Sequence, residues 1–80
     1  MTRQEAFLSV SEIIGEVLAR KDITEKSSLV TDLQCDSLDA IEISLNLEEW
    51  FGIEIEDFEM KACKTVGDIV SLVEKKKGQK

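Results

Sequence analysis

Asp36-Ser37-Leu38-Asp39 sets one hydroxyl at the head of an acidic, amphipathic stretch. A serine does chemistry in two ways. It attacks a substrate after a base has activated it, or it accepts a group from another enzyme. The first route needs a base within reach. This chain has no His and no Gly-x-Ser-x-Gly turn. Its nearby carboxylates lie on a charged stretch expected to face water. No catalytic set, metal set or phosphate-cradling loop is expected, so an enzyme is the least favoured class. The second route fits better. Asp36 is a good N-cap, so Ser37 falls in a first helical turn, where backbone N–H groups favour a phosphate ester. Asp36 and Asp39 partly oppose that preference, so free phosphate would bind weakly. The plainer role, a serine whose oxygen simply caps the helix, stands beside this one.

A helix must hold that serine. Helix two is expected from about Ser37 to Phe51, with Asp39 at N3 suiting the dipole and Gly52 as its left-handed stop. At 100° per residue, Ile43, Leu47 and Phe51 fall on one stripe, with Ala40 near it. Leu38, Ile41 and Leu45 fall on another, flanked by Asp39, Glu42, Glu48 and Glu49. One stripe must face the core. The second, with its acidic rim, has the anatomy of a protein–protein contact. The alternative is a central helix that buries both. Trp50 lies outside both stripes and is expected to be partly buried.

The remaining elements follow from spacing. Thr2 and Glu5 have capping-box spacing and open helix one, about 3–19, with Phe7, Val10, Ile13, Ile14, Val17 and Leu18 at helical period. Gly15 within it costs about 1 kcal/mol against Ala and marks a close approach. Residues 20–36 show no sustained period. Ile23, Leu29 and Leu33 are spaced as anchors for a loop that polar side chains brace, with room for one helical turn. Ile53-Glu54-Ile55-Glu56 alternates like a strand without a partner and reads as an extended connector. Asp57 is expected to cap a short helix, about 58–62. Thr65 and Asp68 form a second capping pair before a last helix, about 66–76, with Val66, Ile69, Val70 and Val73 on its apolar stripe. Lys75, Lys76 and Lys77 suit its C-terminus. Gly78 should stop it, and the tail from about 76 to 80 should fray. The fold class is all-α: one domain over 1–80, a small bundle of three main helices and one short one.

Composition narrows the function. Eighty residues allow one modest core, and with no Tyr and one Trp that core is mostly aliphatic. No apolar run is long enough to span a bilayer. No signal-peptide pattern opens the chain. These features predict a cytoplasmic protein. Cys35 and Cys63 are expected to be free thiols, Cys63 a small core residue and Cys35 a loop residue. The net charge is −7, and from Ser27 to Met60 ten carboxylates stand with no Lys or Arg among them. That block repels nucleic acid and steers toward basic protein patches.

Asp32-Leu33-Gln34-Cys35-Asp36-Ser37-Leu38-Asp39 resembles the attachment motif of acyl carrier proteins. Ala40-Ile41-Glu42-Ile43, the run from Leu47 to Ile55, and Thr65-Val66-Gly67-Asp68 continue the family's pattern in order along the whole chain. The resemblance implies that Ser37 accepts 4′-phosphopantetheine from coenzyme A. A phosphopantetheinyl transferase would install it with magnesium. The arm would then carry acyl groups as thioesters for fatty-acid, polyketide or related lipid synthesis. It also implies that Asp36, Leu38, Asp39, Ile41, Glu42, Leu45, Glu48 and Glu49 meet partner enzymes: acyl-transfer, condensing and modifying enzymes with basic docking patches. Ile43, Leu47 and Phe51 would face the core and any sequestered acyl chain. The chain would be a monomeric carrier that binds no metal of its own and is not a catalyst. A carrier of amino acids, or an unmodified docking module, are the alternatives. Three residues depart from the pattern. Gln34 stands where Gly is usual, which puts the loop's turn in question. Glu56 replaces a frequent Pro and Trp50 a polar residue, which points away from a housekeeping carrier toward a specialised one.

Overall fold

Helix starts in this chain are set by side chains that accept N–H groups the helix leaves free. A computed structural model, which describes residues 1–78, shows four helices. They are α1 (Arg3–Leu18), α2 (Ser37–Phe51), α3 (Asp57–Ala62) and α4 (Val66–Gly78). Thr2 Oγ1 accepts from Glu5 N at 3.2 Å while Glu5 Oε1 accepts from Thr2 N at 2.9 Å, which closes the box that opens α1. Asp36 and Asp39 make the same exchange at α2. Thr65 and Asp68 make it at α4.

The core is one aliphatic cluster. Val10 and Ile14 of α1, Ile43 and Leu47 of α2, and Val66, Ile69, Val70 and Val73 of α4 are fully buried. Helix α1 packs on both α2 and α4. Leu29 and Leu33 pin the long loop to this cluster, and Ile23 packs at its edge, as their spacing anticipates. A Cβ on Gly15 would lie 2.7 Å from the Arg20 carbonyl, so the chain needs glycine where it turns back under α1.

The loop is also tied to α4. Leu29 N donates to Lys64 O at 3.0 Å and Val66 N to Ser27 O at 3.1 Å, an isolated bridge with no counterpart in the hydropathy pattern. Arg3 locks the same corner. Its guanidinium donates to Glu25 at 2.6 Å, to Ser71 and Glu74 at 2.7 Å, and to Gly67 O at 3.1 Å. Residues 53–56 run extended, and Glu48 Oε2 accepts from Ile55 N at 2.8 Å.

Three expectations need correction. Helix α3 begins at Asp57, and its N-cap is Glu56. The Glu56 N–H donates to Glu59 Oε1 at 2.9 Å, a bond that proline could not make. Gly78 is itself helical, and α4 runs through it to the end of the described residues. The final turn of α4 is fastened from outside, by the Lys76–Glu59 ion pair at 2.9 Å and by Lys77 Nζ donating to Phe51 O at 3.2 Å. Residues 76–78 are therefore helical, and 79–80 lie outside the described residues. Trp50 is 60% exposed. Across the groove beside it α1 presents the carboxylates Glu12 and Glu16, with only the buried Ile13 between them as apolar lining. Among the described residues no helix is long and apolar enough to cross a membrane.

Candidate functional site

The loop before Ser37 is built by short-range bonds. Asp32 Oδ2 accepts from Ser28 N at 2.7 Å, while Asp32 N and Leu33 N both donate to Ser28 O, closing one helical turn. Cys35 N then donates to Leu29 O at 2.7 Å. Between these anchors Gln34 takes φ 54°, in the left-handed region that glycine occupies freely. The turn that a glycine would make is thus made by glutamine, at a cost of roughly 1–2 kcal/mol. This delivers Asp36 in extended backbone, ready to cap α2.

At the helix start, Asp39 N donates to Asp36 Oδ1 at 2.8 Å and Asp36 N to Asp39 Oδ2 at 3.3 Å. The two carboxylates are occupied with backbone. Ser37 follows as the first helical residue, exposed, its hydroxyl making no hydrogen bond among the described residues. The simple capping role therefore belongs to Asp36 and not to Ser37. The N–H groups of Ser37 and Leu38 are likewise left open, as the first turn of a helix requires. A phosphodiester on the serine would meet unpaired donors there.

An apolar cleft of about 410 Å³ opens beside Ser37. Asp36 and Ser37 stand at its mouth. Leu29, Ala40, Ile43, Met60, Cys63 and Ile69 form its walls, from the loop, α2, α3 and α4. Of the three residues assigned to an acyl chain from the sequence, Ile43 lines this cleft. Leu47 and Phe51 are buried, at 0% and 8% exposure, in the core beyond it. Leu29, Met60, Cys63 and Ile69 were not singled out for the site. Spacing or residue type marks Leu29, Cys63 and Ile69 as buried but carries no information about which buried side chains border a void, and no such signal marks Met60.

Both thiols are free and face this cleft. Burial pushes the Cys63 thiol up to about 11, with Asp68 and Glu59 adding to it. Burial also raises Cys35, reinforced by Asp39 and Asp36. Neither is a ready thiolate at neutral pH. Cys63 packs half-buried against the core, short of the full burial its apolar context implies.

The outer stripe of α2 is exposed: Leu38 at 76%, Ile41 at 53% and Leu45 at 58%. The alternative of a helix buried on both stripes is ruled out. Glu42 and Glu49 are exposed alongside, and Asp39 is half-buried in the cap. Glu48 is half-buried and turned toward the connector, where it satisfies Ile55 N. Of the ten carboxylates between Ser27 and Met60, only Glu59 forms an ion pair among the described residues.

A family model for the phosphopantetheine attachment site matches residues 9–73. An acyl carrier protein of Thermotoga maritima is 40% identical over 79 residues, covering 96% of this chain and 98% of its own. One from Lactobacillus acidophilus is 38% identical over 80 residues, covering 98% of this chain and all of its own. The solved acyl carrier protein of Enterococcus faecalis superposes with a TM-score of 0.77 at 32% identity, over 95% of this chain and 99% of that one. Four helices in the same architecture, an open serine at the head of the second and similarity along nearly the full length lead to one conclusion: the chain belongs to the acyl carrier protein family.

Proposed function

We infer that Ser37 is the residue on which this carrier bears its 4′-phosphopantetheine, and that the chain serves as a substrate of other enzymes and catalyses nothing itself. One observation carries the reading: Ser37 is exposed, makes no hydrogen bond among the described residues, and stands at the mouth of an apolar cleft. When attached, the arm supplies a thiol that holds acyl groups as thioesters. The chain's own residues do the rest. Asp36 and Asp39 hold the helix start rigid. The open N–H groups of Ser37 and Leu38 favour the phosphate. Leu29, Ala40, Ile43, Met60, Cys63 and Ile69 offer a mainly apolar lining suited to an acyl chain, with Asp57 and Lys61 the charged residues on it besides Asp36, which supports an acyl cargo of the fatty-acid type.

The same reading assigns docking to the outer face of α2. Leu38, Ile41 and Leu45 supply apolar contact, and Asp36, Asp39, Glu42 and Glu49 supply the charge that basic patches on a transferase and on acyl-processing enzymes would meet. Glu48 contributes charge from a fixed position, since its carboxylate also braces the connector. The residues in which this chain departs from its family leave the serine open: Gln34 preserves the turn, Glu56 gains a capping bond and Trp50 lies outside the cleft.

The test is intact mass before and after incubation with coenzyme A, magnesium and a broad-specificity phosphopantetheinyl transferase. The parent should gain one phosphopantetheine, and Ser37→Ala should gain none while keeping its helical circular dichroism. A folded parent that gains nothing would leave a docking module in place of a carrier.

A further inference from the structure

Two free thiols line the cleft that opens at Ser37, and the carrier reading uses neither. Cys35 stands two residues before the serine, and Cys63 follows α3. Both are half-buried and pack at the edge of the core. Their Sγ atoms turn to different places. The Cys35 thiol donates to Asp36 O at 3.6 Å, beside the attachment point, and the Cys63 thiol to Glu59 O at 3.4 Å, within α3. The backbone under Cys35 is fixed. Its N–H donates to Leu29 O at 2.7 Å, and Leu29 N donates in turn to Lys64 O at 3.0 Å. The thiol is therefore presented to the cleft from a tied loop.

An arm joined to Ser37 Oγ ends in a third thiol, on a flexible tether rooted at the mouth of this cleft. A short flexible tether holds its end at about millimolar effective concentration around its root. Burial, Asp39 and Asp36 keep the Cys35 thiol protonated at neutral pH. The same carboxylates, on a chain of net charge −7, repel anionic reagents such as oxidised glutathione from that sulfur. A neutral tethered thiol meets no such barrier, and its local concentration offsets the scarcity of thiolate. We propose, resting on the carrier reading, that Cys35 is a modification site for the carrier's own arm: a disulfide between Cys35 Sγ and the arm's terminal sulfur shuts the unacylated carrier under oxidising conditions. One S–S bond forms and that of a low-molecular-weight disulfide breaks. The two protein-borne sulfurs are oxidised, the two sulfurs of the small disulfide are reduced, and both thiol protons leave on the two small thiols. An acylated arm has no free thiol, so closure selects idle carrier, and a thiol reductant reopens it.

The test starts from the full chain loaded with phosphopantetheine, its mass confirmed, in a glutathione buffer of about 1 mM reduced and about 1 mM oxidised form. Acid-quenched samples are read by intact mass and, after alkylation of the unfolded chain and cleavage at lysine without reductant, by peptide mapping. Cleavage leaves Cys35 and Ser37 together on peptide 27–61 and Cys63 on peptide 62–64. About half of the loaded chain should become lighter by two hydrogen atoms with no glutathione attached, as a millimolar effective concentration sets against this buffer. Peptide 27–61 should carry the loss, and Cys63 should still alkylate. The unloaded chain should keep both thiols. Loaded Cys35→Ala and Cys35→Ser should lower the closed species at least about tenfold, and Cys63→Ala should leave it within about twofold. The proposal is overturned by a loaded chain that stays reduced, takes glutathione or dimerises instead, by a bond joining the two peptides, or by closure that survives loss of Cys35. A chain that never loads overturns the carrier reading and this proposal together, whereas one that loads and stays open leaves the carrier reading standing.

Discussion

On the inner face of α2, Ile43 and Leu47 have no exposed surface and Phe51 has 8%. Across the same helix, Leu38, Ile41 and Leu45 stand 53–76% in water with Glu42 and Glu49 at their side. The residue types are alike; the neighbours differ. The inner stripe meets α1 and α4, whose own stripes complete the core. The outer stripe is left largely in water, with Ile41 alone of the three also lining the cleft. Removing apolar surface from the inner face costs stability through lost transfer energy and a cavity, whereas the outer face spends nothing on folding. Its apolar side chains are therefore available for contact with another molecule. A parallel contrast holds for charge. Arg3 gathers Glu25, Ser71, Glu74 and the Gly67 carbonyl into one node that closes the α1–α4 corner. The acids around Ser37 answer only to backbone N–H groups.

The sharpest way to break this contrast is to truncate one leucine on each face. Leu47→Ala should destabilise the fold by about 2–5 kcal/mol. Leu45→Ala should stay within about 0.5 kcal/mol. Urea unfolding of the two variants measures both, and equal losses would dissolve the distinction between the faces.

A smaller effect separates capping carboxylates from docking carboxylates. Asp68→Ala should cost about 1 kcal/mol at neutral pH, the usual scale of a lost cap. The Lys64 and Thr65 backbone N–H groups hold the Asp68 carboxyl below its ordinary range. A depressed folded-state value adds stability that is complete above the unfolded value near pH 3.9 and is lost as pH falls through the folded one. The gap between parent and Asp68→Ala should therefore narrow below about pH 4 in acid-dependent thermal melts. Glu42→Gln, by comparison, should leave the melting curve at neutral pH close to the parent's.

Smaller again is the strain stored at the mouth of the cleft. Gln34→Gly should stabilise the fold by about 0.5–1 kcal/mol, the left-handed penalty relieved less the extra freedom glycine adds to the unfolded chain. A lower urea midpoint for Gln34→Gly would show that the glutamine side chain contributes more than its backbone costs. Depth in the cleft, finally, should be readable without changing stability at all. At pH 8, iodoacetamide should modify Cys35 before Cys63, because burial against the core pushes the latter's thiol up to about 11. Peptide mass mapping over time decides the order.

Much of this was legible residue by residue. The boundaries of α2, the capping pairs Thr2–Glu5 and Thr65–Asp68, the Asp36 cap, the anchors Leu29 and Leu33, the close approach at Gly15 and the two stripes of α2 each depend on neighbours within one or two turns, and local physics carries over unchanged into the fold. Where the reading failed, the deciding partner lay far along the chain. Trp50 was expected to find cover, but α1 presents Glu12 and Glu16 at that height. α4 is expected to end near residue 76 with a frayed tail, but Lys76 and Lys77 fasten the turn through Gly78 to Glu59 and Phe51, up to 26 residues away. Ile43, Leu47 and Phe51 share one stripe and are buried together in the core, and it takes the packed fold to show that Ile43 also lines the cleft.

By itself, the sequence determined that this is an all-α chain with an acidic second helix, one serine at its head and a period that demands a core on one side. Hydrogen-bond closure and helical spacing are short-range requirements, so they are written in short stretches of residues. The tertiary structure decided which hydroxyl was left open, which stripe met water, where the void between α2, α3 and the loop fell, and that Glu48 would brace Ile55 and not stand free. Those outcomes are set by how separate surfaces fit together, and a void or an uncovered indole exists only once every neighbouring element has taken its place.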